Sequence, residues 1–449
     1  MARPPLKPLV VIVGATGTGK SDLAVEIARR HKGEIINGDA MQLYHGLPII
    51  TNKISKTEMQ GVPHHLLGCI KLDEATWTVG KFVSEALRTI EEIRARGSLP
   101  ILVGGTHYYT QSLLFHDALA DEPLLEREEH SQFFPILEKE TSVIYAKLKE
   151  VDPVIAERWH PNERRKIQRS LEIYLRTGKP ASQLYSEQRL KREKSPVGDN
   201  SEQQTSGLRF EPLVLWVHAS KDLLYPKLND RVDKMLAEGL LSEVQQLDDL
   251  REVQEANANT AIDQSRGIWV SIGYKEFLDY QKALNSGTRS DTELEQLKST
   301  SIERTQAATR QYANRQIKWI RIKLLNALQR DGLGHRTFLL DGSNLQTWHE
   351  AVTAPALDIT RRFLERQPLP RPSSLSCAAS EMLTPKRSYD LAHRPDLWEK
   401  KICETCGTIA TTENDWVLHS RSRAHRKAVG AFKRKMDTKT TPESPPISS

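Results

Sequence analysis

Eight consecutive residues, Gly14-Ala15-Thr16-Gly17-Thr18-Gly19-Lys20-Ser21, satisfy the spacing G-x-x-x-x-G-K-[ST]. Glycines let main-chain N–H groups close round an anion at a helix N-terminus, where the helix dipole favours negative charge. Lys20 adds a point charge, and Ser21 offers a hydroxyl to Mg²⁺. The octapeptide predicts a di- or triphosphate ligand without saying which. A second centre of chemistry is Asp39, the last residue of Gly33-Glu34-Ile35-Ile36-Asn37-Gly38-Asp39. A carboxylate at a strand end is placed to take a proton from an attacking group, as a general base. An Asp in an ordinary surface turn is the competing reading. The apolar run Leu99 to Val103 is followed by Gly104-Gly105-Thr106. No acid stands there to organise Mg²⁺ and water, which argues against a hydrolytic ATPase. A third set is Cys403-x2-Cys406-x12-His419-x5-His425. Two thiolates and two imidazoles at that spacing suit tetrahedral Zn²⁺, and with all four positions filled by protein the zinc is structural.

The elements that must position these groups can be read from periodicity. Leu9-Val10-Val11-Ile12-Val13 is a β-branched run suited to a buried parallel strand, and Asp22 to Arg30 carries helical spacing with Leu23 and Ile27 on one face. Gly33 to Asp39 reads as a second strand and Leu99 to Val103 as a third. Between them Thr78 to Arg96 reads as a helix with Val79, Phe82, Val83, Ala86, Leu87, Ile90 and Ile93 on one side. This βαβ alternation predicts an α/β fold with a parallel sheet of the P-loop NTPase type, its functional loops gathered at the carboxyl ends of the strands. From about Glu122 to Tyr185 the chain turns helical and charge-rich. Glu187 to Gly207 is polar and reads as a flexible loop, and Leu213 to Val217 returns as a strand. The helical stretch is therefore expected as an insertion. The expected organisation is a core from residues 1–120 and 208–365, with helices running to about Leu328, and a helical insertion at 121–207. A Pro- and Ser-rich linker follows at 366–393, then a zinc module at 394–436 and a disordered tail at 437–449.

Composition narrows the class of partner. The 449 residues carry a formal charge of +6, and between Arg394 and Lys435 ten Lys/Arg face five Asp/Glu, so most of the excess lies in one terminal module. A basic module beside a zinc pattern suggests a polyanionic partner. Four cysteines are too few and too uneven for a disulfide scaffold, and the close pair indicates metal in a reducing compartment. No apolar run reaches the length of a membrane span, and Met1 to Pro8 has no apolar signal region, so no membrane association is expected.

Several further segments are more specific together than any is alone. Ile36-Asn37-Gly38-Asp39-Ala40-Met41-Gln42-Leu43-Tyr44, Thr51-Asn52-Lys53, Gly61-Val62-Pro63-His64-His65-Leu66-Leu67, Gly104-Gly105-Thr106-His107-Tyr108-Tyr109, Ser271-Ile272-Gly273-Tyr274-Lys275-Glu276 and Thr309-Arg310-Gln311-Tyr312-Ala313-Asn314-Arg315-Gln316 resemble the tRNA isopentenyltransferase family over roughly residues 9–325. The resemblance implies transfer of a dimethylallyl group from dimethylallyl pyrophosphate to N6 of adenosine 37, beside the tRNA anticodon. It implies that Asp39 takes the amine proton and that Thr106 bonds the oxygen between allyl carbon and phosphate. By the same resemblance Arg231 clamps the phosphates along with Lys20, the loop Gly14 to Ser21 and Mg²⁺ on Ser21. It assigns Asp39, Ala40, Met41 and Gln42 to reading the base. Arg165, Lys166, Ile167, Gln168 and Arg169 are assigned to the anticodon stem-loop, with Arg310, Gln311 and Arg315 as further RNA contacts.

Two features stand beside the resemblance. On the helix around Thr309 to Leu324, Ala313, Ile317, Ile320 and Leu324 make a packing stripe, while Arg310, Asn314, Lys318 and Arg321 make a basic one suited to phosphates. Trp319 is expected in the core, and His64 and His65 are not expected to bind metal. The long His–His gap with Arg421, Arg423, Arg426 and Lys427 resembles matrin or U1-like fingers of RNA-associated proteins, and eukaryotic members of the transferase family carry a similar finger. Rival readings are a small-molecule kinase, in which Asp39 activates a hydroxyl, and an adenylate isopentenyltransferase acting on free nucleotides. A third is a non-catalytic RNA-binding protein on a decayed NTPase scaffold. A kinase would turn over ATP and ignore dimethylallyl pyrophosphate, the zinc module and the basic helices have no evident use in the second, and Lys20, Ser21, Asp39 and Thr106 argue against the third. A cytoplasmic monomer is expected, with mitochondrial and nuclear pools left open.

Overall fold

The computed structural model describes residues 7–116, 134–193, 207–258, 262–385 and 397–437. The first β-branched run forms β1 (Pro8–Gly14), buried along its length as a central strand requires. Around it lie β2 (Gly33–Asn37), β3 (His64–His65), β4 (Leu99–Val103), β5 (Glu211–His218) and β6 (Thr337–Asp341). The order is β3-β2-β4-β1-β5-β6 and every pair is parallel. Each connection must therefore cross over. Helices α1 (Lys20–Arg30), α2 (Val79–Ala95) and α3 (His107–Leu114) follow the early strands. They are joined later by α8 (Lys221–Glu238), α9 (Leu240–Ala258), α10 (Tyr274–Ser286), α11 (Asp291–Trp319), α12 (Leu325–Arg330), α13 (Ala354–Leu364) and α14 (Cys377–Met382). One core layer packs Val10, Ile12, Ile35, Ile101, Leu215 and Phe338 against Leu23 and Ile27 of α1 and Ile359 and Phe363 of α13.

Three differences from the sequence reading have local causes. The second strand stops at Asn37, short of the expected Asp39. The Asn37 side chain accepts the Asp39 N–H at 3.0 Å and donates to the carbonyls of Asp39 and Leu66, which turns the chain out of the sheet. Helix α7 (Ala181–Glu193) runs through the start of the loop expected at Glu187, and residues 194–206 of that loop lie outside the described residues. The expected linker at 366–393 begins as part of the core, because Leu369 and Leu375 pack on the apolar cluster and Ala379 of α14 is buried. Its remainder, from 386, and the tail from 438 lie outside the described residues. Strand β6 was legible as a short apolar run, Thr337-Phe338-Leu339-Leu340, but fell in a stretch given no element.

The chain divides into two compact units, residues 1–119 with 202–388 and residues 120–201 with 389–449. The second unit joins α4 (Thr141–Val151), α5 (Pro153–Arg158), α6 (Arg164–Thr177) and α7 to a C-terminal module. That module comprises the antiparallel pair β7 (Lys401–Ile402) and β8 (Ile409–Ala410), then α15 (Glu413–Ser420) and α16 (Arg423–Asp437). The helical insertion and the C-terminal module, expected as separate domains, share one core. Trp398 packs on the cluster of Ile144, Leu148, Ile155, Ile167 and Leu171. Lys400 Nζ donates to the Ala156 carbonyl at 2.9 Å and to the Tyr145 hydroxyl, and the Arg158 guanidinium stands over Trp159 and Trp398.

Strand ends in the first unit meet so closely that one glycine has no substitute. A Cβ at Gly104 would fall 2.2 Å from both the carbonyl carbon and oxygen of Gly38, the residue that leads into Asp39. Neither backbone can yield without moving β2 or β4. We expect Gly104→Ala to cost about 3 kcal/mol or more of stability, at the upper end for overpacking, read as a lowered urea midpoint. We expect it also to lower activity in the fraction that remains folded.

Candidate active site

The turn from β1 to α1 wraps tightly because Gly14 holds φ at +152°, where a Cβ would fall 2.3 Å from the Val217 carbonyl oxygen of neighbouring β5. Inside the turn the Thr18 hydroxyl donates to the Ala15 carbonyl at 2.9 Å, and Lys20 Nζ donates to the same oxygen at 2.6 Å. The lysine is thereby drawn back over the loop. Removal from water lowers its pKa to about 8, an effect opposed by Asp39 and reinforced by Arg231. Ser21 stands exposed on the first turn of α1.

Asp39 lies just past β2, half-buried. Its Oδ1 accepts the Met41 N–H at 3.0 Å, while the Thr106 hydroxyl, just past β4, accepts the Ala40 N–H at 3.0 Å. Thr106 in turn donates its own N–H to the Gly38 carbonyl at 3.3 Å. Burial raises the Asp39 pKa above its ordinary value. The Met41 N–H, the Lys20 ammonium, the Gln42 N–H and the Arg231 guanidinium each act in the opposite direction. A carboxylate so placed is a stronger base than one in water.

Arg231 reaches this place from α8, donating to the Thr16 hydroxyl at 2.7 Å. Helix α11 lies beside α8 and completes the enclosure with residues that the sequence reading gave no role. Gln316, buried, accepts the Thr16 N–H at 2.8 Å and donates to the Gly105 carbonyl at 3.0 Å, joining the loop after β1 to the loop after β4. Tyr312, one helical turn earlier, hydrogen-bonds Thr106 and Gln316, and burial followed by the charge of Asp39 keeps its phenol un-ionised. The i,i+4 spacing of Tyr312 and Gln316 was visible in the motif and places both on one face. Lys53, held by the Gly46 carbonyl and the Thr51 hydroxyl, is lowered to about 8 by burial against the pull of Glu243 and Asp39. His107, the first residue of α3, is buried with neither ring nitrogen partnered, and burial lowers it to about 3, so it is neutral.

The structure therefore brings together Gly14 to Ser21, Asp39, Thr106 and Arg231, although they come from four separated segments. Two cations beside a glycine-rich turn that opens a helix suit a diphosphate, and a basic carboxylate stands beside them. That combination can stabilise an anionic leaving group and remove a proton from an incoming nucleophile.

Other expected contacts are divided. Gln42 spends its amide on the Asn52 carbonyl at 2.8 Å, and Met41 Sδ accepts from the Ser271 hydroxyl at 3.4 Å. The stripe read as basic on α11 is partly structural, since Arg310 donates to Asn229 and Asn314 to the Tyr225 hydroxyl, both on α8. Gln311, Arg315 and Lys318 are exposed. Trp319 is half-buried, edge-on to Tyr108 with centroids 5.9 Å apart. His64 and His65 serve the sheet: His65 Nε2 meets Glu34 at 2.7 Å, and Arg96 grips that carboxylate with two nitrogens, holding it down to about 2.

In the second unit, Arg165 and Lys166 are exposed, and Arg169 pairs with Glu172 at 2.7 Å. Gln168 donates to the Leu137 carbonyl at 3.2 Å, and Ile167 is 0% exposed. The Ile167 side chain thus belongs to the core, which corrects its assignment as an RNA contact. Its place in the helical period is a packing position. The ligand atoms of Cys403, Cys406, His419 and His425 lie within 4.8 Å of one another. Separations of 3.4 Å (Cys406 Sγ to His419 Nε2), 3.6 Å (Cys403 Sγ to His425 Nδ1) and 3.9 Å (Cys406 Sγ to His425 Nδ1) are close to the edges of a tetrahedron with bonds of about 2.0–2.3 Å. This donor set fits zinc.

A family model described as IPP transferase matches residues 42–323. The tRNA dimethylallyltransferase of Schizosaccharomyces pombe is 37% identical, with 94% of this chain and 95% of that protein covered. The Saccharomyces cerevisiae protein of the same name is 35% identical over 96% of this chain and 94% of its own length, and the human one 34% over 93% and 85%. Among solved structures, a eukaryotic dimethylallyltransferase described as acting on tRNA matches with a TM-score of 0.74 at 33% identity, covering 96% of this chain and 99% of that one.

Gln316 gives the site a test independent of any reaction. Removing it leaves the Thr16 N–H and the Gly105 carbonyl without partners, at about 1–3 kcal/mol for a buried group, and frees the loop. We expect Gln316→Ala to weaken binding of inorganic pyrophosphate about tenfold by titration calorimetry, with unchanged affinity counting against the bridge.

Proposed function

The chain belongs to the tRNA dimethylallyltransferase (IPP transferase) family and is an enzyme of that kind, and from this premise we propose how its own residues carry the transfer. The donor is dimethylallyl pyrophosphate and the acceptor is N6 of adenosine 37 in the anticodon loop. The observation that carries the reading is the juxtaposition of Asp39, made basic by burial, with the Lys20 and Arg231 cations over the loop after β1.

The exocyclic amine is a weak nucleophile, because its lone pair is delocalised into the purine. As the N6–carbon bond forms, the carbon–oxygen bond to pyrophosphate breaks and its electron pair leaves with the phosphate oxygen. Asp39 takes the amine proton, while Lys20, Arg231 and the loop N–H groups meet the charge that grows on the leaving group. Thr106, with its hydroxyl beside Asp39, bonds the bridging oxygen. The fold supporting this chemistry is of the P-loop NTPase type, with the helical unit inserted between α3 and β5. No phosphoryl group moves.

Ser21 would offer its hydroxyl to Mg²⁺, an ion that takes few ligands from protein and the rest from phosphate and water, and the ion would supply charge neutralisation when bound. Zn²⁺ suits Cys403, Cys406, His419 and His425 in a matrin or U1-like finger and organises that module. The exposed Arg165 and Lys166 on α6, Gln311 and Arg315 on α11, and Arg421, Arg423, Arg426 and Lys427 in the finger supply contacts to tRNA phosphates. A loop adenosine can be extruded toward Asp39 to Gln42 at moderate unstacking cost.

The direct test incubates the protein with dimethylallyl pyrophosphate and an anticodon stem-loop RNA, then weighs the modified nucleoside. One added isopentenyl group on adenosine 37 is expected. Asp39→Ala should lower transfer by about 10²–10⁴-fold, the usual worth of a positioned base, while RNA affinity by gel shift changes little; near-normal turnover in that variant would sink the mechanism.

The pH profile has a definite sign. Asp39 must be ionised, so the rate falls as pH drops through its raised pKa. Lys20 in the free enzyme loses its charge as pH rises through about 8, so kcat/KM for the donor falls on the alkaline side. A bell is expected, and its acid limb should be missing from the residual activity of Asp39→Ala.

A further inference from the structure

Gly19, the last glycine of the loop, caps α1 at φ +81°, and a Cβ there would fall 2.4 Å from Cη2 of the Trp348 indole. The same ring closes on Gly342, where a Cβ would fall 2.4 Å from its Cζ3. The indole is therefore held against two backbones, one at the phosphate loop and one just past β6. Its approach is fixed by hydrogen bonds. The Gly342 N–H donates to the His218 carbonyl at 2.8 Å, and the Ser343 hydroxyl donates to Asp341 at 2.6 Å while accepting the Ser220 N–H at 2.9 Å. A π-helical turn, His349–Thr353, then leads from Trp348 into α13, which is anchored in the core.

The order of the sheet gives this position a meaning. Asp39 and Thr106 follow β2 and β4, on one side of β1, whereas β5 and β6 lie on the other. A diphosphate in the loop whose reacting end faces Asp39 directs its far end toward β5 and β6. In dimethylallyl pyrophosphate that far end is a bare phosphate. In a nucleotide presented the same way it carries a ribose and a base, and the volume beside Gly19 that they would need is filled by the indole.

We propose that Trp348 is a specificity-determining residue, which closes the phosphate loop to nucleoside di- and triphosphates and leaves it open to pyrophosphates substituted only at the Asp39 end. The inference rests on the reading that this loop holds the donor's pyrophosphate. It accounts for how a loop of a sequence shared with nucleotide-binding proteins takes a different ligand, by exclusion rather than by added attraction.

The test uses the full-length protein with stem-loop RNA at saturation, so that the adenosine pocket is filled, and measures competition against dimethylallyl pyrophosphate. Inorganic pyrophosphate, ADP and UDP are the competitors, the pyrimidine guarding against binding in the place of adenosine. In the unaltered protein pyrophosphate should compete at least tenfold better than either nucleotide. In Trp348→Ala, and in Trp348→Leu, which keeps more of the apolar packing, the ratio of nucleotide to pyrophosphate inhibition constants should fall tenfold or more. Taking the ratio removes any general loosening of the loop, which would affect all three competitors alike. An unchanged ratio in both variants, or equal competition by UDP and pyrophosphate in the unaltered protein, overturns the proposal. Failure of pyrophosphate itself to compete overturns the reading of the loop, and this inference with it.

Discussion

Two cations and one carboxylate, drawn out of bulk water at the carboxyl end of a parallel sheet, set the terms for the first unit. Lys20 and Arg231 are both shifted toward neutrality by burial, and each is opposed in this by Asp39. Asp39 is shifted the same way and opposed by them. The carboxylate favours the charged form of both cations and they favour its own, while Arg231 acts against the charge of Lys20. The cluster sets two cationic side chains against one carboxylate, fixed charge that can meet an anion with little reorganisation. A surface arrangement of the same residues would be screened and weak.

Holding that cluster requires segments far apart in the chain to be pinned at their ends. The strands do most of it, since β1, β2 and β4 end together, with Val103 paired to both Ile12 and Asn37. The remaining freedom lies in the loops, and α11 removes it. Gln316 ties the loop after β1 to the loop after β4, Tyr312 bonds Thr106, and Arg310 and Asn314 fasten α11 to α8, which carries Arg231. Leu228 of α8 meets the loop from above, where a Cβ on Gly17 would fall 2.7 Å from its Cδ2. Much of what the sequence offers as a basic helix is thus spent on joining α8 to the loops after β1 and β4.

The chemistry was legible in the sequence where it depends on local spacing. The loop Gly14 to Ser21, the acid at Asp39 and the Cys-Cys-His-His pattern are each contained in a short segment whose residue types restrict what it can do. The strands around them were legible for the same reason, as apolar β-branched runs. What the sequence concealed is long-range. Gln316 stands 300 residues from the N–H it caps, and although its spacing from Tyr312 puts the two on one face, nothing local says which loops that face meets. The indole of Trp348 is likewise assigned to the loop only by tertiary packing. Ile167 shows the opposite case: the resemblance assigns the whole segment Arg165 to Arg169 to RNA, but the place of Ile167 in the 3.6-residue period turns its side chain inward. A contiguous segment carries residues from faces that a helix separates. The Pro- and Ser-rich stretch after 366 misled for a related reason, since a few apolar residues among many polar ones suffice to seat it on the core.

The second unit shows the same division between packing and charge. Lys400 and Arg158 are basic residues used internally, one on a carbonyl and a phenol, the other on two indole faces. By contrast Arg165 on α6 and Arg421, Arg423, Arg426 and Lys427 of the C-terminal module remain exposed. Because Trp398 and Lys400 join the module to the helical core, the exposed sets stand on one body. Basic patches carried on a single body can act together on a polyanion without the cost of ordering a tether between them. Cys403, Cys406, His419 and His425 converge within the C-terminal module, and the contacts at Trp398 and Lys400 fix where its charge is presented. Charge gives the attraction, and packing decides that it is directed.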